Sequence, residues 1–183
     1  SGSTLSVSGN YAIWIGGEYA SDFNLYRMNT ATGVVTLVST DAEPPYHSVA
    51  ADGTVAFSTL STYQIVRDRD GLQTVLTNDP GYLHEYPLID GDQISYVRYN
   101  WSDVDKPYSL VLIDGANIIP LTDSRTTAPW PRDDYQLNGG WTAYTDLGTQ
   151  QQLHVFTRSP QGAVTRPPDF STERRIDRLG GAG

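Results

Sequence analysis

The sequence predicts an all-β protein, a β-propeller with four four-stranded antiparallel blades. A short motif, an apolar residue two positions before a glycine, recurs along the chain and precedes runs rich in aromatic and β-branched residues. The motif glycines are 44, 38, 48 and 42 residues apart, at Gly9, Gly53, Gly91, Gly139 and Gly181. A period of about 40 to 45 residues is typical of propeller blades.

Each period contains four short segments, which the second repeat shows most clearly at 46–51, 54–58, 63–68 and 73–77. Turns such as Gly9-Asn10 suit tight hairpins that need positive φ. No stretch of ten residues has the apolar i, i+3, i+4 spacing of a capped helix, so we expect almost no helix. Because a sandwich needs no fixed period, the repeated meander favours a propeller.

We expect residues 1–183 to form one propeller domain. The repeats run approximately over 4–45, 46–84, 85–131 and 132–172, and residues 173–183 begin a fifth repeat.

Composition excludes several classes of partner and site. Twenty-one acidic and 12 basic side chains give a net charge of −9, which disfavours nucleic acid and anionic lipid surfaces. No apolar run is long enough for membrane insertion as a helix. Cysteine is absent and the three histidines lack the spacing of a helical zinc pair, so we expect no metal and no cofactor. Acidic pairs such as Asp68 and Asp70 leave calcium binding open, although turn chemistry explains most such residues.

The repeat resembles a known family. The run RDGLQTVLTNDP at 69–80, followed by YPLIDGDQISY at 86–96, is similar to the repeat of TolB-like (WD40-like, PD40) propellers, and Leu121-Thr122-Asp123 repeats its Leu-Thr element. The resemblance implies a fold rather than an activity. Since members of that family commonly have about six to eight blades, we expect the chain to be a fragment of a larger propeller, with 173–179 as the innermost strand of a fifth blade.

The sequence predicts a ligand site where the inner strands begin. The long loops open on one face of this strand order, and the residues six and seven positions before the motif glycines begin the inner strands there. Histidine, carboxylate and arginine side chains that converge at the axis could bind a polar ligand or perform acid–base chemistry. Propeller channels are also polar without any ligand. The predicted residues are His47, His84, Glu85, Arg132, Asp133 and Arg175.

Aromatic residues in the long loops extend this prediction. Trp101 and Trp130 could stack on sugars or anchor a protein partner, or could fold back over the blade tops. Trp14 and Trp141 lie in second segments, and we expect them to be core residues.

These features favour a non-enzymatic interaction or ligand-binding module of an extracellular, periplasmic or other cell-envelope protein, with a protein or glycan partner on the long-loop face. No Gly-x-Ser-x-Gly elbow or other catalytic set is found, so no catalytic residue is assigned. One alternative is a part of a carbohydrate-active or peptidase protein with a polar site at the axial opening. Another is a self-assembling fragment, a homo-oligomer or a partner of missing blades.

Overall fold

A computed structural model describes residues 5–16, 23–102, 108–122, 135–147 and 153–166. These residues form four antiparallel sheets of four strands each and contain no helix. The all-β prediction and the prediction of four four-stranded sheets are therefore confirmed. Within the described ranges, no helix could span a membrane.

Each sheet takes its strands in chain order. The first sheet contains β1 (Leu5–Ser8), β2 (Tyr11–Gly16), β3 (Asn24–Asn29) and β4 (Val35–Ser39). The second contains β5 (Ala42–Val49), β6 (Val55–Thr59), β7 (Ile65–Arg69) and β8 (Leu72–Val75). The third contains β9 (Tyr82–Asp90), β10 (Gln93–Asn100), β11 (Tyr108–Asp114) and β12 (Asn117–Pro120). The fourth contains β13 (Tyr135–Asn138), β14 (Trp141–Leu147), β15 (Leu153–Arg158) and β16 (Val164–Thr165).

The first strands of the sheets lie innermost. β1 contacts β5, β5 contacts β9, and β9 contacts β13, whereas each fourth strand makes its main contacts only with the third strand of its own sheet. We call the end that carries the β6–β7 and β10–β11 connections and the connections between sheets the upper face. The opposite end, with the β1–β2 and β3–β4 turns and their equivalents, is the lower face.

The sheets pack face to face because alternate residues of each strand point to opposite sides. One buried cluster joins Ile13 of the first sheet to Phe57 of the second. A second cluster joins Ala56 of the second sheet to Tyr96 of the third, and a third joins Val97 of the third sheet to Tyr144 of the fourth. Each interior sheet therefore contributes one face to the core before it and the other face to the core after it.

An aromatic residue occupies the same position in every second strand. The first residue after the hairpin turn is Tyr11, Thr54, Gln93 or Trp141, and the aromatic residue of the second strand follows three positions later. The aromatic residues themselves are Trp14, Phe57, Tyr96 and Tyr144. The last three are buried against the preceding sheet. This position is the structural counterpart of the repeat seen in the sequence.

Arginines tie neighbouring sheets together at the lower face. Arg27 donates to Gly53 O at 2.8 Å and lies 3.5 Å from Asp68 Oδ1. Arg69 reaches Asp92 Oδ1 of the third sheet at 2.6 Å. Arg158 of the fourth sheet lies 3.5 Å from Asp114 Oδ2. Asp68 thus has a structural partner, and no group of three or more potential ligand side chains that could hold a metal ion occurs within the described ranges.

The start of β5 differs from the sequence prediction. β5 begins at Ala42 instead of 46, because Ala42 pairs with Thr59 across an irregular stretch that holds Pro44 and Pro45. Prolines in a strand are confined to such irregular or edge positions.

The expectation that Trp14 and Trp141 are core residues is wrong. Trp14 is only partly buried and Trp141 is 51% exposed, because they lie on the outward faces of the first and fourth sheets, where no described strand packs.

Candidate functional site

The inner strands converge on a small axial pocket. It has a volume of about 180 Å³ and is lined by residues from all four first strands. These are Leu5, Ser6, Pro45, Tyr46, His47, Tyr86, Pro87, Leu88 and Tyr135. The pocket therefore lies where the sequence predicts an axial opening.

His47 presents a neutral imidazole to this pocket. Its Nδ1 lies 3.0 Å from Pro45 O and donates to it, which leaves Nε2 as an acceptor. Burial lowers the pKa of His47 from 6.5 to about 4, so the ring is neutral at physiological pH. Nε2 is buried and has no hydrogen-bond partner among the described residues.

Tyrosines form the wall beside His47. The hydroxyl of Tyr46 donates to that of Tyr86 at 3.2 Å, and the two ring centroids are 4.3 Å apart. Tyr135 donates its hydroxyl to Tyr86 O. Tyr86 has a φ of +56°, and the pairing of β9 with β10 shifts register beside it. Such bulges redirect side chains and are frequent next to functional sites.

Two carboxyl groups lie close to these tyrosines. Glu85 is buried and accepts a hydrogen bond from Tyr99 at 2.8 Å, and burial raises its pKa. Glu43 is half-buried, and burial together with the charge of Glu85 raises its pKa from 4.5 to about 7. Glu43 therefore holds a proton in a good fraction of molecules near neutral pH. Burial thus favours the protonated form of both carboxyl groups.

His84 has a different position from His47. Its side chain is fully buried, its Nδ1 lies 2.9 Å from Tyr63 O, and its ring lies 5.5 Å from that of Tyr96. Burial lowers its pKa. His84 thus fastens the β6–β7 turn to β9, between the second and third sheets.

A larger cleft opens on the upper face between the second and third sheets. It has a volume of about 430 Å³. Its lining is Thr62, Tyr63, Gln64, Pro80, Gly81, Tyr82, Leu83 and Trp101. We call it the aromatic cleft, after Tyr63, Tyr82 and Trp101. Trp101, predicted from the sequence as a ligand residue, is 64% exposed there.

Local contacts order the turn that carries Trp101 and one side of the Tyr82 ring. Asn100 Oδ1 accepts from Ser102 N at 3.0 Å and from Ser102 Oγ at 2.8 Å, which fixes the turn that carries Trp101. The guanidinium of Arg98 lies 4.9 Å from the ring centroid of Tyr82 and 3.4 Å from Asp79 Oδ2. The cleft thus combines aromatic surfaces with polar groups at its rim.

The structure brings together part of the predicted site. His47 lines the axial pocket, and Glu85 lies beside it, hydrogen-bonded to tyrosine. The predicted residues Trp130, Arg132, Asp133 and Arg175 lie outside the described residues. Sequence reasoning misses Glu43, Tyr86 and Tyr63. A signal for Glu43 is present, since it is a carboxylate directly before Pro44-Pro45-Tyr46 at the start of an inner strand.

Consecutive four-stranded meanders, packed face to face with their first strands innermost, define blades of a β-propeller. Solved structures confirm this fold. TolB from Acinetobacter baumannii aligns with a TM-score of 0.57 and 17% identity over 91% of this chain and 43% of its own. A putative TolB from Agrobacterium tumefaciens aligns with a TM-score of 0.53 and 23% identity over 66% of this chain and 49% of its own.

An enzyme shares the same fold. The S511A mutant of puromycin hydrolase, complexed with PGG, aligns with a TM-score of 0.58 and 13% identity over 90% of this chain and 28% of its own. The chain thus spans less than half the length of each of these three proteins. No protein-family model matches the sequence, and a search of curated proteins found no significant match. At these identities the likeness establishes the fold alone.

Proposed function

We propose that this chain is a non-enzymatic binding module of an extracellular or cell-envelope protein, and that its upper face binds a neutral glycan. The observation that carries the proposal is the aromatic cleft of about 430 Å³ between the second and third sheets. Aromatic faces provide flat apolar surfaces, with polar groups nearby, at a low cost in side-chain entropy. The proposed location is supported by the resemblance of the repeat to TolB-like propellers.

Charge favours a neutral ligand over an anionic one. The chain carries a net charge of −9, which repels anionic polymers at long range. At the rim of the cleft, the positive charge of Arg98 is paired with Asp79 at 3.4 Å. Hydroxyl groups of a neutral sugar could instead bond to Gln64 and to main-chain groups at Pro80 and Gly81, which line the cleft. A protein partner on this face stays a prediction from the sequence.

Tryptophan fluorescence during titration with chitohexaose and cellohexaose tests the proposal. We expect one of these neutral oligosaccharides to change the emission saturably. Trp101→Ala should then weaken binding at least about tenfold, which corresponds to about 1.4 kcal/mol. Trp141→Ala is the matched control, since it removes a similarly exposed tryptophan from the fourth sheet, away from the cleft. Absence of binding to both oligosaccharides, or binding that Trp101→Ala leaves unchanged, contradicts the proposal.

A second candidate function is a polar, reactive site at the axial opening of a carbohydrate-active or peptidase protein. The observation that favours it is that His47, whose buried Nε2 has no hydrogen-bond partner among the described residues, lines the axial pocket beside Tyr46, which contacts Glu85. Puromycin hydrolase is an enzyme whose structure resembles this chain in fold alone.

Turnover assays separate the two candidates. If the chain hydrolyses a member of a panel of chromogenic glycosides and peptide anilides, both His47→Gln and Glu85→Gln should reduce turnover. If the unaltered chain turns over no member of the panel, the second candidate is abandoned.

A further inference from the structure

The outward face of the first sheet is apolar and unpaired. Two cross-strand rows cover it in register. They are Leu5, Trp14, Tyr26 and Leu37, and Val7, Ala12, Met28 and Val35. Leu5 is 65% exposed and Val7 is 62% exposed, and no described strand packs on this face. Exposed apolar patches of this kind mark interaction surfaces.

The equivalent faces of the other sheets are the ones that receive a preceding blade. Phe57 and Tyr96, which correspond to Trp14, are each 1% exposed because the sheet before them covers them. Tyr144, at the same position in the fourth sheet, is likewise buried against the third. Trp14 therefore occupies the position that a preceding blade covers in each of the other three sheets.

The outward face of the fourth sheet has small residues at the positions that would face the aromatic residue of a following blade. In the second sheet, Ala56 is clustered with the aromatic Tyr96 of the next sheet. Ala143 holds the position of Ala56, since each lies two residues after the strand leaves its hairpin turn. Thr145 corresponds in the same way to Ser58. These small residues leave room for an aromatic side chain from a following blade.

Trp141, at the lower face of the fourth sheet, also occupies a position that packs on a following sheet elsewhere in the chain. It holds the position of Tyr11, whose ring lies directly over the Gly53 turn of the next sheet. Trp141 has no such turn to cover in the described structure and is 51% exposed. The turn at Gly9 and Asn10 is the corresponding turn of the first sheet.

No described strand position on either of these two faces carries a charged residue. The outward positions of the fourth sheet are Gln136, Asn138, Trp141, Ala143, Thr145, Val155, Thr157 and Thr165. None of these and none of the first-sheet row residues is charged, whereas 18% of the chain is charged. Surfaces that stay in water ordinarily carry charged residues.

We propose that two copies of this chain associate head to tail, the first sheet of each packing on the fourth sheet of the other. Trp14 enters the space over Ala143 and Thr145 of the partner, and Trp141 covers the turn of the first sheet in the partner. Two identical contacts then close a ring of eight blades, which lies within the range of about four to eight blades that propellers have. This association repeats the packing seen within the chain and does not require the glycan site.

Light scattering on a sizing column across a dilution series tests the association. We expect a species of twice the 20.1 kDa mass of one chain, which dissociates on dilution. Trp14→Glu and Ala143→Arg should each raise the dimer dissociation constant at least about tenfold, because each buries an unpaired charge. Trp101→Ala, which alters the aromatic cleft and neither of the two faces, should leave the mass unchanged. The altered residues are not fully buried, and circular dichroism verifies that the variants fold.

Mixing the Trp14→Glu chain with the Ala143→Arg chain tests the head-to-tail geometry. A mixed dimer keeps one unaltered contact, and in its other contact the introduced carboxylate lies opposite the introduced guanidinium, so the mixture should recover the dimer mass. A monomer at every concentration overturns the proposal, and so does a dimer that either variant leaves intact. Failure of the mixture to recover the dimer overturns it as well.

Discussion

Gly53 lies in the tight turn between β5 and β6, under the ring of Tyr11. Its φ is +89°, and a Cβ built there would lie 2.6 Å from the Tyr11 ring. Gly71 has a similar φ of +83°, but a Cβ there would meet nothing within 4 Å. The two glycines therefore separate the conformational requirement for glycine from the requirement for space.

Gly71→Ala should lower the free energy of unfolding by about 1–2 kcal/mol, the cost of a left-handed alanine. Gly53→Ala should lower it by about 1–3 kcal/mol more, because the added methyl group displaces Tyr11. Urea denaturation of both variants provides the measurement. Equal losses for the two substitutions would show that Tyr11 does not pack on this turn.

The carboxyl group of Glu43 should make stability depend on pH. Its pKa is raised from 4.5 to about 7 in the folded chain by burial and by Glu85. Between these values the folded chain binds more protons than the unfolded chain, so this group destabilises the fold increasingly as pH rises from about 4.5 to 7. Glu43→Gln should remove that slope and stabilise the protein most at about pH 8.

Urea denaturation from about pH 4 to about pH 8 measures this effect as the difference between Glu43→Gln and the unaltered chain. Thr74→Ser, an exposed substitution that removes no titratable group, is the control and should show a difference that does not change with pH. A difference that does not change with pH contradicts the raised pKa of Glu43.

His47 has the opposite pH dependence. Its pKa is lowered from 6.5 to about 4, so the unfolded chain binds more protons within that window, and His47 destabilises the fold as pH falls from about 6.5 to 4. His47→Gln should therefore flatten the acid limb of the stability curve in the same urea series. An unchanged acid limb would mean that His47 is not buried in its neutral form.

The threonine of the Leu-Thr element at the end of the repeat bonds to the third strand of its own sheet. Thr77 Oγ1 accepts from Ile65 N at 2.9 Å, and Thr122 Oγ1 accepts from Leu110 N at 2.9 Å. The threonine hydroxyl thus replaces a backbone carbonyl just past the end of the fourth strand. The preceding Leu76 and Leu121 pack against the cores between sheets.

Thr77→Val should lower the free energy of unfolding by about 1–3 kcal/mol, because it leaves the buried N–H of Ile65 without an acceptor. Thr77→Ser keeps the hydroxyl and should cost clearly less. Thermal or urea denaturation compares them. If Thr77→Val costs no more than Thr77→Ser, the hydroxyl of Thr77 does not bond to Ile65 of β7.

Strand order and number can be predicted from the sequence because hairpin turns carry local signals. The Gly9 and Gly139 turns are examples, since each needs a positive φ that the residue type reveals. The start of β5 cannot be predicted in this way, because the prolines there indicate a loop, whereas Ala42 pairs with Thr59 through long-range packing.

Side-chain surroundings are less predictable than the strands. His47 is indicated by its spacing to the motif glycine. Its unsatisfied Nε2, and the raised pKa of Glu43, depend on burial by other repeats, which no local pattern reports. Trp14 and Trp141 are expected in the core since they occupy β-strands. Their exposure depends on which sheet lies beside them, which is a property of the whole arrangement.

At the scale of the whole molecule, stability comes from each sheet covering the aromatic residue of the next. Phe57 and Tyr96 are covered in this way, and Trp14 is not. An aromatic residue at the same position should therefore contribute very differently to stability in the dilute monomer.

The most direct measurement is the free energy of unfolding of Tyr96→Ala compared with that of Trp14→Ala, by urea denaturation at concentrations where the chain is monomeric. We expect Tyr96→Ala to lose about 3–5 kcal/mol, as for other buried aromatic residues, and Trp14→Ala to lose less than half as much. Equal losses would contradict the proposed arrangement, because they would require a blade to cover the first sheet in the monomer.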